Sequence, residues 1–308
     1  MMPRIPLIMD TDIGDDIDDL QALVLALASP EVDLLAVTTV FGDTERRASL
    51  ARLLLEAAGR PEVPVARGAT SPLLAPGRES RFGGHGVDLN GVRQGPVETP
   101  APLLLTQLIR QQQGEVELLT IGALTNIALA LALRPELPKE VRRYHLMGGC
   151  FGARPQLHST AEYNIRCDPE AAAAVFAAGF NLTVVGLDVT TQVELSADHL
   201  EPLQRSAHPL ARLYVAAVGH FLAQGSRRSN IPHDVLTLAA LLRPELIQTE
   251  PMPVAVELRG EYTRGLTVTP HRAAQERPPA ATARVAVAVD ARAFRDFYLD
   301  RLYRLCGV

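Results

Sequence analysis

Tryptophan is absent from this chain of 308 residues, and cysteine occurs only three times. Cys150, Cys167 and Cys306 are an odd number without a Cys-x-x-Cys pair, which argues against a disulfide framework and favours free thiols in a reducing compartment. The chain also lacks a window of about 18 uninterrupted apolar residues, as a membrane span requires. Its start, MMPRIPLIMD, lacks the apolar stretch and cleavage site of a secretory signal. We therefore expect a soluble, cytoplasmic protein.

Positive charge is not in excess. Lysine and arginine total 30 against 35 aspartate and glutamate residues, which gives a net charge of -5. No strongly basic face is implied, so a nucleic-acid partner is not expected. Apolar residues make up 47% of the chain, which is ample for a hydrophobic core.

Short apolar runs alternate with helical patterns along most of the chain. The runs are continuous rather than alternating, as burial on both faces of a parallel sheet requires. This order predicts an open, doubly wound, mostly parallel α/β sheet with helices on both faces, extra helices in the C-terminal half, and a single domain over 1–308. The expected strands are 5–9, 34–40, 63–66, 116–121, 144–147, 182–187, 254–258 and 285–289. The expected helices are 17–28, 45–58, 102–112, 126–133, 169–178, 200–223 with a break at Pro209, and 291–305. The Gly-rich segment 75–96 reads as a surface loop and a possible lid.

Polar or glycine-rich turns follow four of the expected strands. The segment DTDIGDDIDD follows the strand that begins near residue 5. The segments TTVFGD, TIGALTN and MGG close the strands that begin near residues 34, 116 and 144. In open α/β sheets, ligands bind outside the carboxyl ends of the strands. The sequence therefore predicts a site formed by these turns.

Six aspartates occupy ten positions at the first of these turns: Asp10, Asp12, Asp15, Asp16, Asp18 and Asp19. Asp15 or Asp16 is expected to cap the following helix, whose dipole favours acidic residues in its first turn. Capping does not account for Asp10 and Asp12, which precede the turn. A bound cation does, and oxygen ligands without nearby Cys or His favour Ca²⁺ or Mg²⁺ over zinc.

Two familiar acidic motifs fit this segment badly. An EF-hand loop needs glycine at its sixth position and glutamate at its twelfth, but Gly14 is fifth from Asp10 and Gln21 is twelfth. Phosphatases that form an aspartyl phosphate also begin with Asp-x-Asp. They usually have Thr or Val where Gly14 stands, and no arginine or lysine cluster accompanies the motif here to bind a phosphate.

Five segments, in order and over nearly the whole chain, resemble the inosine–uridine type nucleoside hydrolases. They are DTDIGDDIDDLQAL (10–23), TIGALTNIALAL (120–131), AEYNIRCDPEAA (161–172), PHDVLTLAALLRPEL (232–246) and YTRGLTV (262–268). The resemblance implies hydrolysis of the N-glycosidic bond of ribonucleosides with one bound Ca²⁺, base salvage as the setting, and a homodimer or homotetramer. Other readings are a phosphatase-like metal hydrolase and a non-catalytic nucleoside binder.

The same resemblance implies roles for individual residues. Asp12 would bind the metal and act as the general base toward an attacking water. Asp19, Asp234 and the backbone carbonyl of Thr125 would complete the protein ligands. Asp18 would bind the metal or the ribose. An ion that lowers the pKa of water, beside a carboxylate that stays ionised, is a physically sound basis for this chemistry.

Further residues would contact the substrate or its departing base. Glu162 and Asn164 would bind the ribose, and Gln156 stands where the family usually has an Asn that does so. Asp43 stands where an Asn is usual and is similar to the purine-preferring branch. That branch stacks the base between tryptophans, which this chain lacks, although Tyr163 could stack in part. His233 is the leading acid for the departing base and His85 a second one. We read Asp168 as the cap of the helix that follows it.

The first motif is longer than the usual Asp-x-Asp-x-Gly-x-Asp-Asp of the family. Five residues separate Asp12 from Asp18. Counting from the helix side selects Asp18 and Asp19, and helical phase favours this choice because it fixes where the carboxylates point. Counting from the N-terminal side selects Asp16, which stays as the alternative ligand.

Overall fold

Eight strands form one twisted sheet in the computed structural model, which describes residues 4–74, 82–89, 92, 97–152, 161–224, 230–270 and 282–308. The strands of this sheet are β1 (Ile5–Thr11), β2 (Val32–Thr39), β3 (Val65–Arg67), β4 (Val116–Thr120), β5 (Val141–Met147), β6 (Leu182–Val185), β7 (Ile247–Met252) and β10 (Ala283–Val289). Their order is β3-β2-β1-β4-β5-β6-β10-β7. All neighbours pair in parallel except β7, which is antiparallel to β10. Two short strands, β8 (Ala255–Val256) and β9 (Thr267–Val268), form a separate antiparallel pair.

The helices lie on both faces of the sheet. They are α1 (Asp18–Ala28), α2 (Thr44–Ala57), α3 (Ala101–Gln111), α4 (Thr125–Leu133), α5 (Leu137–Glu140), α6 (Tyr163–Cys167), α7 (Pro169–Ala177), α8 (Leu187–Thr190), α9 (Leu200–Gln204), α10 (Pro209–Ala223), α11 (His233–Leu242) and α12 (Ala291–Cys306). Successive residues of β1 point into different cores: Leu7 and Met9 pack with α1, α2, α10, α11 and α12, whereas Ile8 packs with α3, α4 and α7. This alternation is what a strand buried on both faces requires, and it confirms the doubly wound α/β prediction.

Most of the expected elements are present with small shifts of their ends, but several others were missed. Helices α5, α6, α8 and α11, the edge strand β7 and the short strand β9 had not been predicted. Strand β7, with sequence IQTEPM, alternates partly buried and exposed positions and contains Pro251, which a sheet tolerates at its edge. The expected strand 254–258 is only the two-residue β8, outside the main sheet. The run 182–187 ends as a strand at Val185, because α8 begins at Leu187.

The topology places a crevice at the carboxyl end of β1. The strand pairs with β2 on one side and with β4 on the other, so the chain connections run outward in opposite directions from this point. The turns after β1, β4 and β5 therefore meet at one edge of the sheet. Within the described parts of the chain, no helix has the length and apolarity needed to cross a membrane.

Most of the proposed lid, 75–96, lies outside the described residues. Its described portion includes a 3₁₀ turn at Gly84–Gly86. The backbone amides of Gly83 and Gly84 donate to the carbonyl of Gly14 at 2.9 and 3.0 Å. This part of the segment is therefore bonded directly to the aspartate-rich turn.

Candidate active site

A cleft of about 320 Å³ opens at the carboxyl edge of the sheet. Its walls come from the aspartate-rich turn, from the ends of β4 and β5, from α6 and from the start of α11. Seven of the fifteen lining residues are acidic: Asp12, Asp15, Asp16, Asp18, Asp19, Glu162 and Asp234. Sequence segments more than 200 residues apart thus converge on one pocket, at the place that the fold predicts for a ligand.

The turn between β1 and α1 folds the aspartates inward. Gly14 has φ of +113°, a conformation that L residues rarely adopt, and an added Cβ would meet the ring of Phe82 at 2.4 Å. The hydroxyl of Thr11 donates to Oδ1 of Asp19 at 2.5 Å and accepts from the amide of Ile13 at 3.0 Å. The end of β1 is therefore tied to the first turn of α1, and this fixes the direction of the Asp19 side chain.

Three carboxylates lie close enough to share an ion. Asp18, Asp19 and Asp234 offer oxygens within 4.8 Å of one another, and all three residues are buried. Asp234 is in the first turn of α11, and its amide donates to Oδ2 of Asp18 at 3.3 Å. The structure therefore brings Asp234 together with Asp18 and Asp19, the two aspartates that counting from the helix side selects.

The electrostatics of this cluster are unfavourable without a cation. Burial raises the pKa of Asp18, Asp19 and Asp234 well above the ordinary range, and neighbouring carboxylates add to the effect on each. Burial also raises the pKa of Asp12 to about 7, against the opposing charge of Arg47. Buried like charges of this density are tolerated when a positive charge is placed among them.

Glu162 and Asn164 line the opposite wall of the cleft and are held by backbone groups. Glu162 is the N-cap of α6, and its carboxylate accepts from the amides of Asn164, Ile165 and Gly149 at 2.9 to 3.1 Å. The side-chain amide of Asn164 donates to the carbonyls of Ile121 and Met147 at 3.1 and 3.2 Å. These bonds join α6 to the ends of β4 and β5 and fix both side chains at the cleft.

Thr125 and Asp168 form a buried pair behind the cleft. Thr125 opens α4, and its hydroxyl donates to Oδ2 of Asp168 at 2.7 Å. Oδ1 of Asp168 accepts from the amide of Ala171, which confirms Asp168 as the cap of α7. Its Oδ2 also accepts from the amide of Leu73.

His233 lines the cleft at the start of α11. Its Nδ1 lies 2.7 Å from the hydroxyl of Thr190, and burial lowers its pKa to about 4. The ring is therefore neutral at pH 7 and carries one N–H. Where the Thr190 hydroxyl donates to Nδ1, that N–H is on Nε2 and is free to donate to a ligand.

Two other predicted substrate contacts, His85 and Asp43, are not among the residues that line the cleft. His85 is buried in the 3₁₀ turn, with its ring edge-on to Phe221 of α10. Asp43 is exposed and caps α2 by accepting from the amide of Arg46 at 3.0 Å. Gln156 lies outside the described residues.

The prediction that Asp15 or Asp16 caps α1 is wrong. The N-cap position is Ile17, and no side chain of a described residue caps it. Oδ1 of Asp16 accepts from the adjacent amide of Ile17, whereas Asp15 pairs with Arg47. The longer turn moves both aspartates away from the capping position and onto the cleft wall. Asp10 supports the turn from within the sheet, where Oδ1 accepts from Thr38 and from Asn126.

Arg47 was missed by the sequence reasoning. Its side chain is fully buried behind the aspartate-rich turn. The available signal was its position on α2, where Arg47 shares the i, i+3, i+4 spacing of the buried residues Thr44, Ala48, Leu50 and Ala51. An arginine on the apolar face of a helix needs an acidic or carbonyl partner in the interior.

Comparisons with known proteins agree with this geometry. The family model described as inosine-uridine preferring nucleoside hydrolase matches residues 7–296. The non-specific ribonucleoside hydrolase RihC of Salmonella paratyphi C is 36% identical over 306 residues, which cover 97% of this chain and 98% of the relative. A plant nucleoside hydrolase, PpNRh1, superimposes with a TM-score of 0.86 at 31% identity, covering 97% of this chain and 99% of the other. The purine-preferring ribonucleoside hydrolase of Gardnerella vaginalis gives a TM-score of 0.86 at 27% identity, with 98% and 99% covered.

Proposed function

Because the chain belongs to the inosine-uridine preferring nucleoside hydrolase family, a family of metal-dependent N-glycosyl hydrolases, we propose that it hydrolyses ribonucleosides to ribose and a free base with Ca²⁺ as its metal. One observation carries the proposal. The buried carboxylates of Asp12, Asp18, Asp19 and Asp234 line the same cleft as Glu162 and Asn164, which can bind ribose hydroxyls.

The donor set fits a hard divalent cation. The clustered ligand atoms of Asp18, Asp19 and Asp234 are all carboxylate oxygens. Asp12 is on the same cleft, and its charge raises the pKa of Asp18, Asp19 and Asp234. Calcium takes six to eight oxygen ligands, so a shell needs several carboxylates plus carbonyl, water or ribose oxygens. Asp12, Asp19, Asp234 and the carbonyl of Thr125 would hold the ion, with Asp18 directed to the ion or the ribose. When bound, the ion supplies a lowered pKa for a water molecule and a point of attachment for hydroxyl oxygens.

Different residues of the chain would then carry out different steps of the hydrolysis. Asp12 would take a proton from the attacking water, because a carboxylate beside the cation stays ionised at neutral pH and can accept a proton. Glu162 and Asn164 orient the ribose. Positive charge develops on the sugar as the bond to the base breaks, and the acidic wall of the cleft stabilises that charge. His233 donates a hydrogen bond to the departing base as a neutral imidazole.

The assay is ribose release from purified protein. Inosine, adenosine, uridine, cytidine and p-nitrophenyl riboside are offered in Ca²⁺ and in EDTA. We expect release that EDTA abolishes and that Asp12→Ala lowers by about 10²- to 10⁴-fold, the usual contribution of a general base. Asp290→Ala, which removes an exposed helix cap remote from the cleft, is the matched control. Binding without ribose release would favour a nucleoside binder, and phosphate release from a phosphomonoester would favour a phosphatase.

The remaining proposals rest on the sequence and the family resemblance. They are a single domain over 1–308, a cytoplasmic location, and a homodimer or homotetramer. Light scattering at several protein concentrations tests the assembly, and limited proteolysis tests the domain.

A further inference from the structure

Arg47 is one of the largest fully buried side chains among the described residues, and its guanidinium contacts the aspartate-rich turn. Nε donates to the carbonyl of Phe41 at 2.7 Å. Nη1 donates to the carbonyls of Asp12 and Ile13, and Nη2 donates to Oδ2 of Asp15 at 3.0 Å. One side chain from α2 therefore bonds to three positions of the aspartate-rich turn.

The guanidinium keeps its charge in this position. Burial opposes the charged form, but Asp12, Asp15 and Asp19 raise the pKa of Arg47 above the ordinary value. A buried charge is costly unless it is paired and hydrogen-bonded, and these contacts meet both conditions. In return, Arg47 opposes the rise in the pKa of Asp12 and Asp19 that burial causes.

The contacts of Arg47 extend to α6 through Asp15. Oδ2 of Asp15 accepts from Arg47 and also, at 3.2 Å, from the hydroxyl of Tyr163 in α6. Both Asp15 and Tyr163 line the cleft. The chain Arg47–Asp15–Tyr163 thus joins the aspartate-rich turn to α6.

We propose that Arg47 is a positioning residue that fixes the turn carrying Asp12 through the carbonyls of Asp12 and Ile13 and the carboxylate of Asp15, and that its permanent positive charge offsets part of the repulsion around this turn when no metal is bound. The inference rests on the proposed function for its metal and its substrate readout. The fork of a guanidinium suits this role, because it reaches two carbonyls and a carboxylate at once, whereas the ammonium of lysine is a point charge.

The first test separates the charge of Arg47 from ordinary packing. The variants are Arg47→Gln, Arg47→Lys and the control Arg301→Gln. Arg301 forms a two-bond pair with Glu31 at 2.8 Å, away from the cleft. Melting temperatures are measured in EGTA and in saturating Ca²⁺. We expect R47Q to lose at least twice as many degrees in EGTA as in Ca²⁺, because the ion replaces the missing charge. R301Q should lose the same in both.

The second test separates geometry from charge. R47K keeps the positive charge, so its metal-free melting temperature should exceed that of R47Q. It loses the forked geometry of the guanidinium, so its kcat should fall about 10- to 100-fold below that of the wild-type protein. Its KM should stay within about threefold of the wild-type value, as expected when the general base is misplaced. Guanidinium ion at millimolar concentration should restore part of the kcat of Arg47→Ala and none of that of Arg301→Ala.

Three outcomes would overturn the proposal: equal losses for R47Q in EGTA and Ca²⁺, equal metal-free stability of R47K and R47Q, or a wild-type kcat in R47K. If R47Q fails to fold in EGTA but folds in Ca²⁺, the role as a permanent cation is supported. If the wild-type protein releases no ribose, the proposed function fails, and the two stability comparisons still decide the role of Arg47. If Ca²⁺ does not stabilise the wild-type protein, the metal assignment fails and the metal-free comparison of R47K with R47Q decides.

Discussion

The hydroxyl of Thr125 donates a 2.7 Å hydrogen bond to Oδ2 of Asp168, which joins the first residue of α4 to the cap of α7. The family resemblance assigns the carbonyl of Thr125 to the metal. The hydroxyl of the same residue ties the start of α4 to Asp168, and we predict that this bond fixes the backbone carrying that carbonyl. Asp168, which the sequence identified only as a cap, serves both helices.

Thr125→Val tests this relationship, because valine keeps the shape and the backbone carbonyl but removes the hydroxyl. Among the described residues, the buried Oδ2 of Asp168 would keep the amide of Leu73 as its one hydrogen-bond partner. We expect the free energy of unfolding to fall by about 1–3 kcal/mol, as for a lost bond to a buried charged group. We also expect weaker Ca²⁺ binding by calorimetry. Thr106→Val, which removes an exposed hydroxyl bonded to the carbonyl of Leu103, is the control. Unchanged stability and Ca²⁺ affinity in T125V would remove the link between Asp168 and the site.

His233→Ala tests the proposed donor to the departing base. The loss of kcat/KM should be larger on inosine than on p-nitrophenyl riboside, whose leaving group needs no proton. A difference of about 10²-fold between the two substrates is the lower end of what acid–base catalysis provides. Equal losses on both substrates would show that His233 only shapes the cleft.

Thr190→Val gives a second view of His233. The variant removes the group that lies 2.7 Å from Nδ1 and leaves the imidazole in place. If Thr190 fixes the tautomer, T190V should lower kcat on inosine in the same direction as H233A but by less, and it should leave p-nitrophenyl riboside hydrolysis nearly unchanged. A wild-type rate on inosine would rule out this role for Thr190.

Substitutions of Asp43 distinguish two roles for this residue, a substrate contact and the cap of α2. The sequence suggested a substrate contact, whereas the structure has its carboxylate capping α2. Asp43→Ala should lower the free energy of unfolding by about 1 kcal/mol, and Asp43→Asn should cost only a few tenths because Asn caps nearly as well. Chemical denaturation measures both. A shift in purine against pyrimidine preference in D43N, without a change in stability, would support the substrate contact instead.

The sheet and the acidic centre were predictable from sequence because their signals are local. Continuous apolar runs identify buried parallel strands, and the density of aspartates after β1 identifies a cation site. The choice of Asp18 and Asp19 over Asp16 as metal ligands depended on helical phase and stays a prediction. In the structure the carboxylates of Asp18 and Asp19 cluster with that of Asp234.

The features that were missed depend on distant contacts. The spacing of Arg47 on α2 indicates that its side chain is buried, but the sequence does not show that its partners are in the aspartate-rich turn. The N-cap position of α1 could not be read from the sequence, because the longer turn moves Asp15 and Asp16 onto the cleft. Strand β7 was not predicted because an edge strand does not require a continuous apolar run and tolerates a proline. The periodicity of a sequence indicates which face of a helix or strand is buried. It does not indicate which other element packs against that face.

His145 provides a prediction of pH-dependent stability away from the carboxylate cluster. It is buried in β5, and burial, with the charge of Arg143 adding to it, lowers its pKa to about 3. In the unfolded chain the pKa of histidine is about 6.5. Between these values the unfolded state binds a proton that the folded state does not, so the folded state loses stability as the pH falls below 6.5 and the loss is complete near pH 3.

We therefore expect this histidine alone to cost the wild-type protein about 2 kcal/mol of unfolding free energy between pH 7 and pH 5. His145→Gln should lose correspondingly less over the same range, whatever its stability at pH 7. Between pH 7 and 8.5 the two proteins should change in parallel, because histidine is neutral in both states there. Urea unfolding at each pH gives the measurement. Parallel curves from pH 7 down to pH 5 would show that His145 takes up a proton in the folded protein, and burial in β5 would then not suppress its charge.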